Sequence, residues 1–435
     1  MLTRRELLFA SLAAPLRAAT KPNIVFVFSD DHHFQCLGAA GNPHIHTPNL
    51  DRLAKDGLLF TNGIISTSQC APSRGIMLTG REIYQTGLIS NGQIRFQNNV
   101  KPTAIEQLAQ AGYDTIHIGK WHIGPEPGEC GFARSPLWLR GGGSVYRDPK
   151  LRRGQQGKDE TVPGHITDLF TDAAIAATKE ARQPFFLWLT YNAPHTPLYA
   201  TENYRRHYAG KDSQQIAPPL HPPGGSKFDW ITYYSVITHL DEAVGRLVAA
   251  LKAQGQWDNT VLFFIGDNGY TAGSRNWKGK VYQWDESVRV PYLASGGAVK
   301  GRGKVEDPVA SVDAVATWLD VAGIKPAHAL AGRSLRSYLD TGKGKLDAAF
   351  SSWDDPRAEG LAAKVAVEPY RLIRTKRHKL VVFASKKQSL FDCVADPGET
   401  NDLIADTKLQ SVRDDLRKKL RARMQATSDH AIAWL

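Results

Sequence analysis

Asn23-Ile24-Val25-Phe26-Val27-Phe28-Ser29-Asp30-Asp31-His32 is a run of apolar, strand-favouring residues that stops at two carboxylates and an imidazole. Three further runs repeat the pattern. Tyr113 to Gly119 ends at Lys120-Trp121-His122, Phe185 to Leu189 leads through Tyr191 to Pro194-His195, and Val261 to Gly266 ends at Asp267-Asn268-Gly269. Strands this continuously apolar belong to a parallel sheet covered on both faces. Helical patterns lie between them at Thr103 to Ala111, Thr167 to Arg182 and Ile231 to Gln254, and such alternation implies right-handed crossovers. The predicted fold is α/β: a doubly wound, mostly parallel central sheet with helices on both faces. Ligands of such sheets bind at the carboxyl ends of the strands, so the four polar sets are expected to converge on one rim.

Outward from these runs, Gly124 to Gly164 is rich in Gly, Pro and Arg, and reads as a long surface excursion. Ala217 to Ser226, with four prolines, reads as a second. Loops of this length are often lids or binding walls. Tyr370 to Ile373 and Lys379 to Phe383 predict an antiparallel hairpin, and Leu409 to Met424 a charged amphipathic helix. The organisation expected is a signal peptide over 1–19, a catalytic α/β domain over 20–344 and a smaller α+β subdomain over 345–435, carrying a short antiparallel sheet.

The leader is basic from Met1 to Arg5, apolar from Leu7 to Leu16, and followed by Ala18 and Ala19. That outline implies export to the periplasm or outside the cell. Thr3-Arg4-Arg5 resembles a twin-arginine leader, although a general secretory leader fits nearly as well. No segment reaches the roughly 20 apolar residues that a transmembrane helix needs. The formal net charge of +11 favours polyanions, but no nucleic-acid-binding motif is visible, and nucleic acid is not an expected partner. Part of the excess, Arg371, Arg374, Lys376, Arg377 and Lys379, reads as a solvated face of the late hairpin. Cys36, Cys70, Cys130 and Cys393 are too few and too scattered for a disulfide scaffold. His32, His33, His44 and His46 match no usual zinc spacing.

The chemistry begins with the carboxylates. Asp30, Asp31 and Asp267 with the Asn268 amide supply hard oxygen ligands of the kind that calcium or magnesium takes. An Asp-Asp pair at one strand end is more often a cap or turn. Two acidic sets on one rim need a cation to offset their repulsion. At Cys70-Ala71-Pro72-Ser73-Arg74, the proline suits the first turn of a helix and Arg74 falls on the face of Cys70. The helix start and the guanidinium both favour anions. A plain thiolate nucleophile fits here too, since helix N-termini lower thiol pKa. Taken singly, Lys120 and Lys280 read as surface lysines and His195 as a structural histidine.

The segment from Cys70 to Arg74, with Gly75 to Leu78 and then Thr79-Gly80, resembles the sulfatase signature without a mismatch. Thr47 to Ala54 resembles an early helix of that family, Gly119-Lys120-Trp121-His122 its second signature, and Ala193-Pro194-His195-Thr196-Pro197 its histidine loop. Lys280, eleven residues before Pro291, and Asp396-Pro397-Gly398-Glu399 complete a likeness over roughly 21–405. The resemblance implies a sulfuric ester hydrolase of the alkaline phosphatase superfamily, acting on a carbohydrate sulfate or another sulfated small molecule. It implies that a formylglycine-generating enzyme oxidises Cys70 to formylglycine (3-oxoalanine), and that Asp30, Asp31, Asp267, Asn268 and the modified Cys70 hold calcium, magnesium being the lesser candidate. Arg74 would steady the nucleophile. Lys120, His195 and Lys280 would grip sulfate, His122 would orient the nucleophile and take its proton, and His195 or Lys280 would protonate the departing alcohol. A phosphonate monoester or phosphodiester hydrolase of the same superfamily, and a noncatalytic binder with unmodified Cys70, are the alternatives. One departure, Trp284-Asp285-Glu286-Ser287, replaces a glycine-containing stretch of the family. With Trp121, Trp277 and Tyr282, Trp284 becomes a candidate for stacking on a sugar ring or for packing.

Overall fold

The computed structural model describes residues 21–92, 94–182, 184–222, 226–277, 279–356 and 367–435. The leader, and residues 223–225 of the second excursion, lie outside these. Five strands form the parallel centre of a ten-stranded sheet. In spatial order they are Thr260–Gly266, Asn23–Ser29, Phe185–Thr190, Asp114–Lys120 and Leu137–Leu139. Register follows the apolar runs, with Val25 opposite both Leu187 and Leu262.

Successive side chains of a strand point to opposite faces, and the first strand shows why both must be covered. Ile24, Phe26 and Phe28 enter a core with Trp188, Trp318, Ile105, Leu108, Met77 and Leu78. Val25 and Val27 enter a second core with Leu50, Phe170, Leu240 and Val244. The helices Cys70–Thr79, Ala104–Gln110 and Ser311–Val321 therefore cover one face, and Pro48–Lys55, Ile166–Glu180 and Trp230–Ala253 the other. Each large apolar side chain removed from water in this way contributes about 1.5–3 kcal/mol.

The first excursion is less of a loop than its composition predicts. Leu137–Leu139 and Lys150–Arg153 extend the sheet, and Leu137, Trp138, Leu139 and Leu151 are buried. Strands of three and four residues are too short to show a period among glycines and arginines. On the other side of the parallel strands, Tyr292–Ser295 runs antiparallel to Thr260–Gly266.

Near the C-terminus, Ala349–Trp353, Tyr370–Arg374, His378–Phe383 and Gln388–Asp392 form an antiparallel sheet in that order. One face packs Ile373, Leu380, Val382 and Leu390 against Leu416, Leu420 and Met424 of the helix Gln410–Ala426. The other face sends Tyr370, Leu372, Val381 and Phe391 into the main core.

This sheet corrects the reading of its basic residues. Arg371, Arg374 and Lys379 are buried, because each meets an acid remote in sequence. Arg371 pairs with Asp354 and Asp429 at 2.7 and 2.5 Å, Arg374 approaches Asp285 at 3.8 Å, and Lys379 bonds Asp285 at 2.9 Å. Lys376 and Arg377 alone face solvent. All four cysteines are buried and unpaired. Among the described residues no helix is long and apolar enough to cross a membrane.

Candidate active site

The site forms where the parallel strands end, because the ladder continues past them. Tyr191 N–H donates to Phe28 O at 2.9 Å, Asp30 N–H to Ala193 O at 3.0 Å, and Asp267 N–H to Ser29 O at 2.8 Å. These bonds lock Asp30, His195 and Asp267 into one constellation. Asp31 follows with φ 58, a left-handed conformation that Asp adopts more readily than most residues. It is stabilised by the Tyr233 hydroxyl, which donates to Asp31 O at 2.5 Å.

Cys70 opens the helix Cys70–Thr79, all of whose residues are buried. Its Sγ lies 3.3 Å from Asp30 Oδ1, 3.6 Å from Asn268 Oδ1 and 2.7 Å from Lys280 Nζ. One turn on, Arg74 donates to Asp267 Oδ2 at 2.8 Å and to Lys120 O at 2.7 Å. Lys120 pairs with Asp30, and Lys280 with Asp31. His195 Nε2 stands 3.7 Å from Asp31 Oδ2 while its Nδ1 meets Thr196 O. Because that carbonyl only accepts, Nδ1 carries the proton and Nε2 is the free position. His122 has φ 59 and leaves Nδ1 buried without a protein partner among the described residues.

Three carboxylates thus face Arg74, Lys120 and Lys280 at nearly zero exposure. Burial raises the Asp30 pKa, but Lys120, His195, Lys280 and Arg74 outweigh it and hold the carboxyl well below the usual range. Burial and the neighbouring Asp30 charge push Asp267 up to about 6. Burial, and then Asp30, push the Cys70 thiol up to about 12. Desolvation outweighs the pull of the helix N-terminus and of Lys120 and Lys280, which counts against a plain thiolate. Burial, followed by Lys120 and Arg74, drives His122 down to about 2, so its imidazole is neutral. Burial also lowers His195. One atom each from Asp30, Asp31, Cys70 and His195 lie within 4.8 Å of one another, a grouping able to hold a metal ion. With Asn268 and Asp267 adjoining, its donors are mainly hard oxygens.

All the residues picked from the sequence gather here except Trp284, which precedes the short helix Asp285–Val288. Trp284 is half-buried, with Trp277 and Tyr282 each 5.4 Å away and the Arg275 guanidinium 4.9 Å over its ring. Trp121 and Tyr282 are buried. His32 is taken up structurally, by Ser29 Oγ at 3.0 Å and Cys36 O at 3.1 Å.

Sequence reasoning missed Tyr233, Tyr146 and the Gly141-Gly142-Gly143 tract. Tyr146 donates to His195 O at 2.8 Å. A Cβ on Gly142 would overlap the His122 ring, and one on Gly143 would meet His195 Cε1 at 3.1 Å. The glycine run within the first excursion was the available signal: backbone must pass close to something there.

Similarity to known proteins identifies the family. The Sulfatase family model matches residues 22–324, and one described as N-sulphoglucosamine sulphohydrolase, C-terminal, matches 273–426. The chain is 28% identical to the ulvan-active sulfatase of Formosa agariphila, across 94% of this chain and 82% of that protein. It is 25% identical to the N-acetylglucosamine-6-O-sulfatase of Bacteroides thetaiotaomicron, across 99% and 91%. A solved structure of a protein with its substrate D-Glucosamine-2-N, 6-O-disulfate superposes with a TM-score of 0.79, at 24% identity, over 94% of this chain and 99% of that one, and supports the fold. With the family model covering well over half of it, the chain belongs to the sulfatase family. It is a sulfuric ester hydrolase.

Proposed function

We propose that this enzyme removes sulfate from a sulfated carbohydrate, with Cys70 oxidised to formylglycine as the nucleophile position and calcium held by Asp30, Asp31, Asp267 and Asn268. The observation that carries it is the surrounding of Cys70 Sγ: oxygen donors at 3.3 and 3.6 Å on one side and an ammonium at 2.7 Å on the other. A soft thiol is a poor companion for hard oxygens, whereas an oxygen at that position suits both neighbours. The cation would supply fixed positive charge, and the hydrated aldehyde an oxygen nucleophile with a second hydroxyl to release sulfate, which a thiol lacks.

The chain's own residues do the rest. Lys120 and Lys280 present ammonium groups to the ester oxygens, where preorganised charge stabilises the transition state most. Arg74 keeps Asp267 ionised and aimed. His122 offers a lone pair that orients the nucleophile's hydroxyl and takes its proton; a bound sulfate offsets the charge of Lys120 and restores basicity to the ring. His195, with Nδ1 committed to Thr196 O, gives a proton through Nε2 to the departing alcohol. Trp284 and Trp277, the two half-buried aromatics, are the wall on which a sugar ring would stack, a contact suited to the apolar face of a pyranose. The carbohydrate assignment is supported by the ulvan-active and N-acetylglucosamine-6-O relatives. Residues 1–19 act as the export signal, which places the enzyme in the periplasm or outside the cell, and 20–344 and 345–435 form its catalytic and C-terminal parts.

The test is turnover of an aryl sulfate beside the matching phosphate and phosphonate esters, in wild type and in Cys70→Ala. Sulfate ester turnover that disappears in the variant is the expected result. Equal activity of the variant would refute the nucleophile assignment, and a preference for phosphonate esters would move the enzyme to the related class.

A further inference from the structure

The residues directly after Lys280 are hydrogen-bonded to the C-terminal part of the chain. The residue after it, Val281, has φ 77, a left-handed conformation that a β-branched side chain adopts only where its surroundings over-determine it. Val281 N–H donates to Ser68 O at 3.2 Å, two residues before Cys70. The Tyr370 hydroxyl then donates to Tyr282 O at 3.1 Å and lies 3.4 Å from Ser68 Oγ. Lys379 Nζ donates to Gln283 O and to Asp285 Oδ1, both at 2.9 Å. Glu399 Oε2 accepts from Asp285 N–H at 2.7 Å, and its other oxygen pairs with Lys379. Tyr370 and Lys379 are fully buried and Glu399 nearly so. Three side chains of the C-terminal part therefore engage positions 282, 283 and 285, directly after the lysine that meets Cys70.

We propose that Tyr370, Lys379 and Glu399 are positioning residues that hold Lys280 against Cys70, so that the C-terminal part of the chain helps set the geometry of the site. The proposal rests on the reading of Lys280 as a sulfate-holding residue. A purely structural role for the network would lower stability without changing how Lys280 performs; a positioning role changes turnover only while Lys280 is present.

The closing experiment is a double-mutant cycle of Tyr370→Phe with Lys280→Ala, measured on an aryl sulfate, with hydrogen exchange at the Val281 amide read in parallel. Tyr370→Phe keeps the ring and removes only the hydroxyl. The expected result is a loss of about tenfold in kcat/KM in the wild-type background, less than about twofold in the Lys280→Ala background, and faster exchange at Val281. A loss of the same size in both backgrounds, or no loss with unchanged exchange, would overturn the proposal. Glu399→Gln, which keeps an acceptor for Asp285 N–H, carries the same comparison if Tyr370→Phe does not fold. A wild type without aryl sulfate turnover counts against the proposed function, and the exchange measurement still decides the positioning claim.

Discussion

His195 and Gly142 make the most specific claims at the scale of single residues. An acid that protonates the departing alcohol matters most when that alcohol leaves poorly. Replacing His195 with Asn is therefore expected to cost about 10²–10³ in kcat on a sugar sulfate and far less on an aryl sulfate with an acidic phenol, comparing the two substrates on one preparation. The sign of its pH dependence follows from burial, which lowers the His195 pKa below the usual imidazole range. The imidazolium is present below the folded pKa and lost above it, so kcat/KM on the sugar sulfate should fall as pH rises through that lowered value. That limb should vanish in His195→Asn. Gly142 has no room for a methyl group beside His122. Gly142→Ala is expected to lower kcat by at least about tenfold while changing the melting temperature little, as kinetics and calorimetry on the same sample would show.

Among the elements, the helix Cys70–Thr79 contributes an N-terminus and Arg74. Its guanidinium is 1% exposed and forms the direct partner of Asp267. Arg74→Met would remove the direct partner of the buried Asp267, leaving only Lys120 and Lys280 to offset it, an expected loss of about 3–5 kcal/mol of folding stability by urea titration. A loss under about 1 kcal/mol would mean that other cations suffice. The rim this helix faces was legible in the sequence because the four long strands announce themselves by uninterrupted apolar runs that stop at charged residues. What was not legible is equally physical. Leu137–Leu139 is too short to display a period, Tyr146 and Tyr233 act through hydroxyls whose acceptors lie far along the chain, and charge counting cannot see that Arg371, Arg374 and Lys379 have remote acidic partners. Those partners turned an expected solvated face into buried ion pairs of the C-terminal sheet.

For the molecule as a whole, the charge balance around Asp30, Asp31 and Asp267 should couple a cation to folding. Burial and Asp30 raise the Asp267 pKa to about 6. For a carboxyl raised in the folded state, the stability linked to its proton is present below the unfolded value and is lost as pH rises through about 6. Calcium would compete for the same oxygens, so millimolar calcium should raise the melting temperature by several degrees at pH 7.5 and by less at pH 5. No calcium dependence at either pH would contradict the metal assignment. The central claim, that Cys70 is the precursor of an oxygen nucleophile, meets its most direct test in the mass of the tryptic peptide 56–74 from enzyme produced with a formylglycine-generating enzyme. The expected mass is about 18 Da below that of the unmodified peptide, for conversion of a thiol to an aldehyde. Unmodified cysteine at full occupancy in a preparation that hydrolyses sulfate esters would contradict the account.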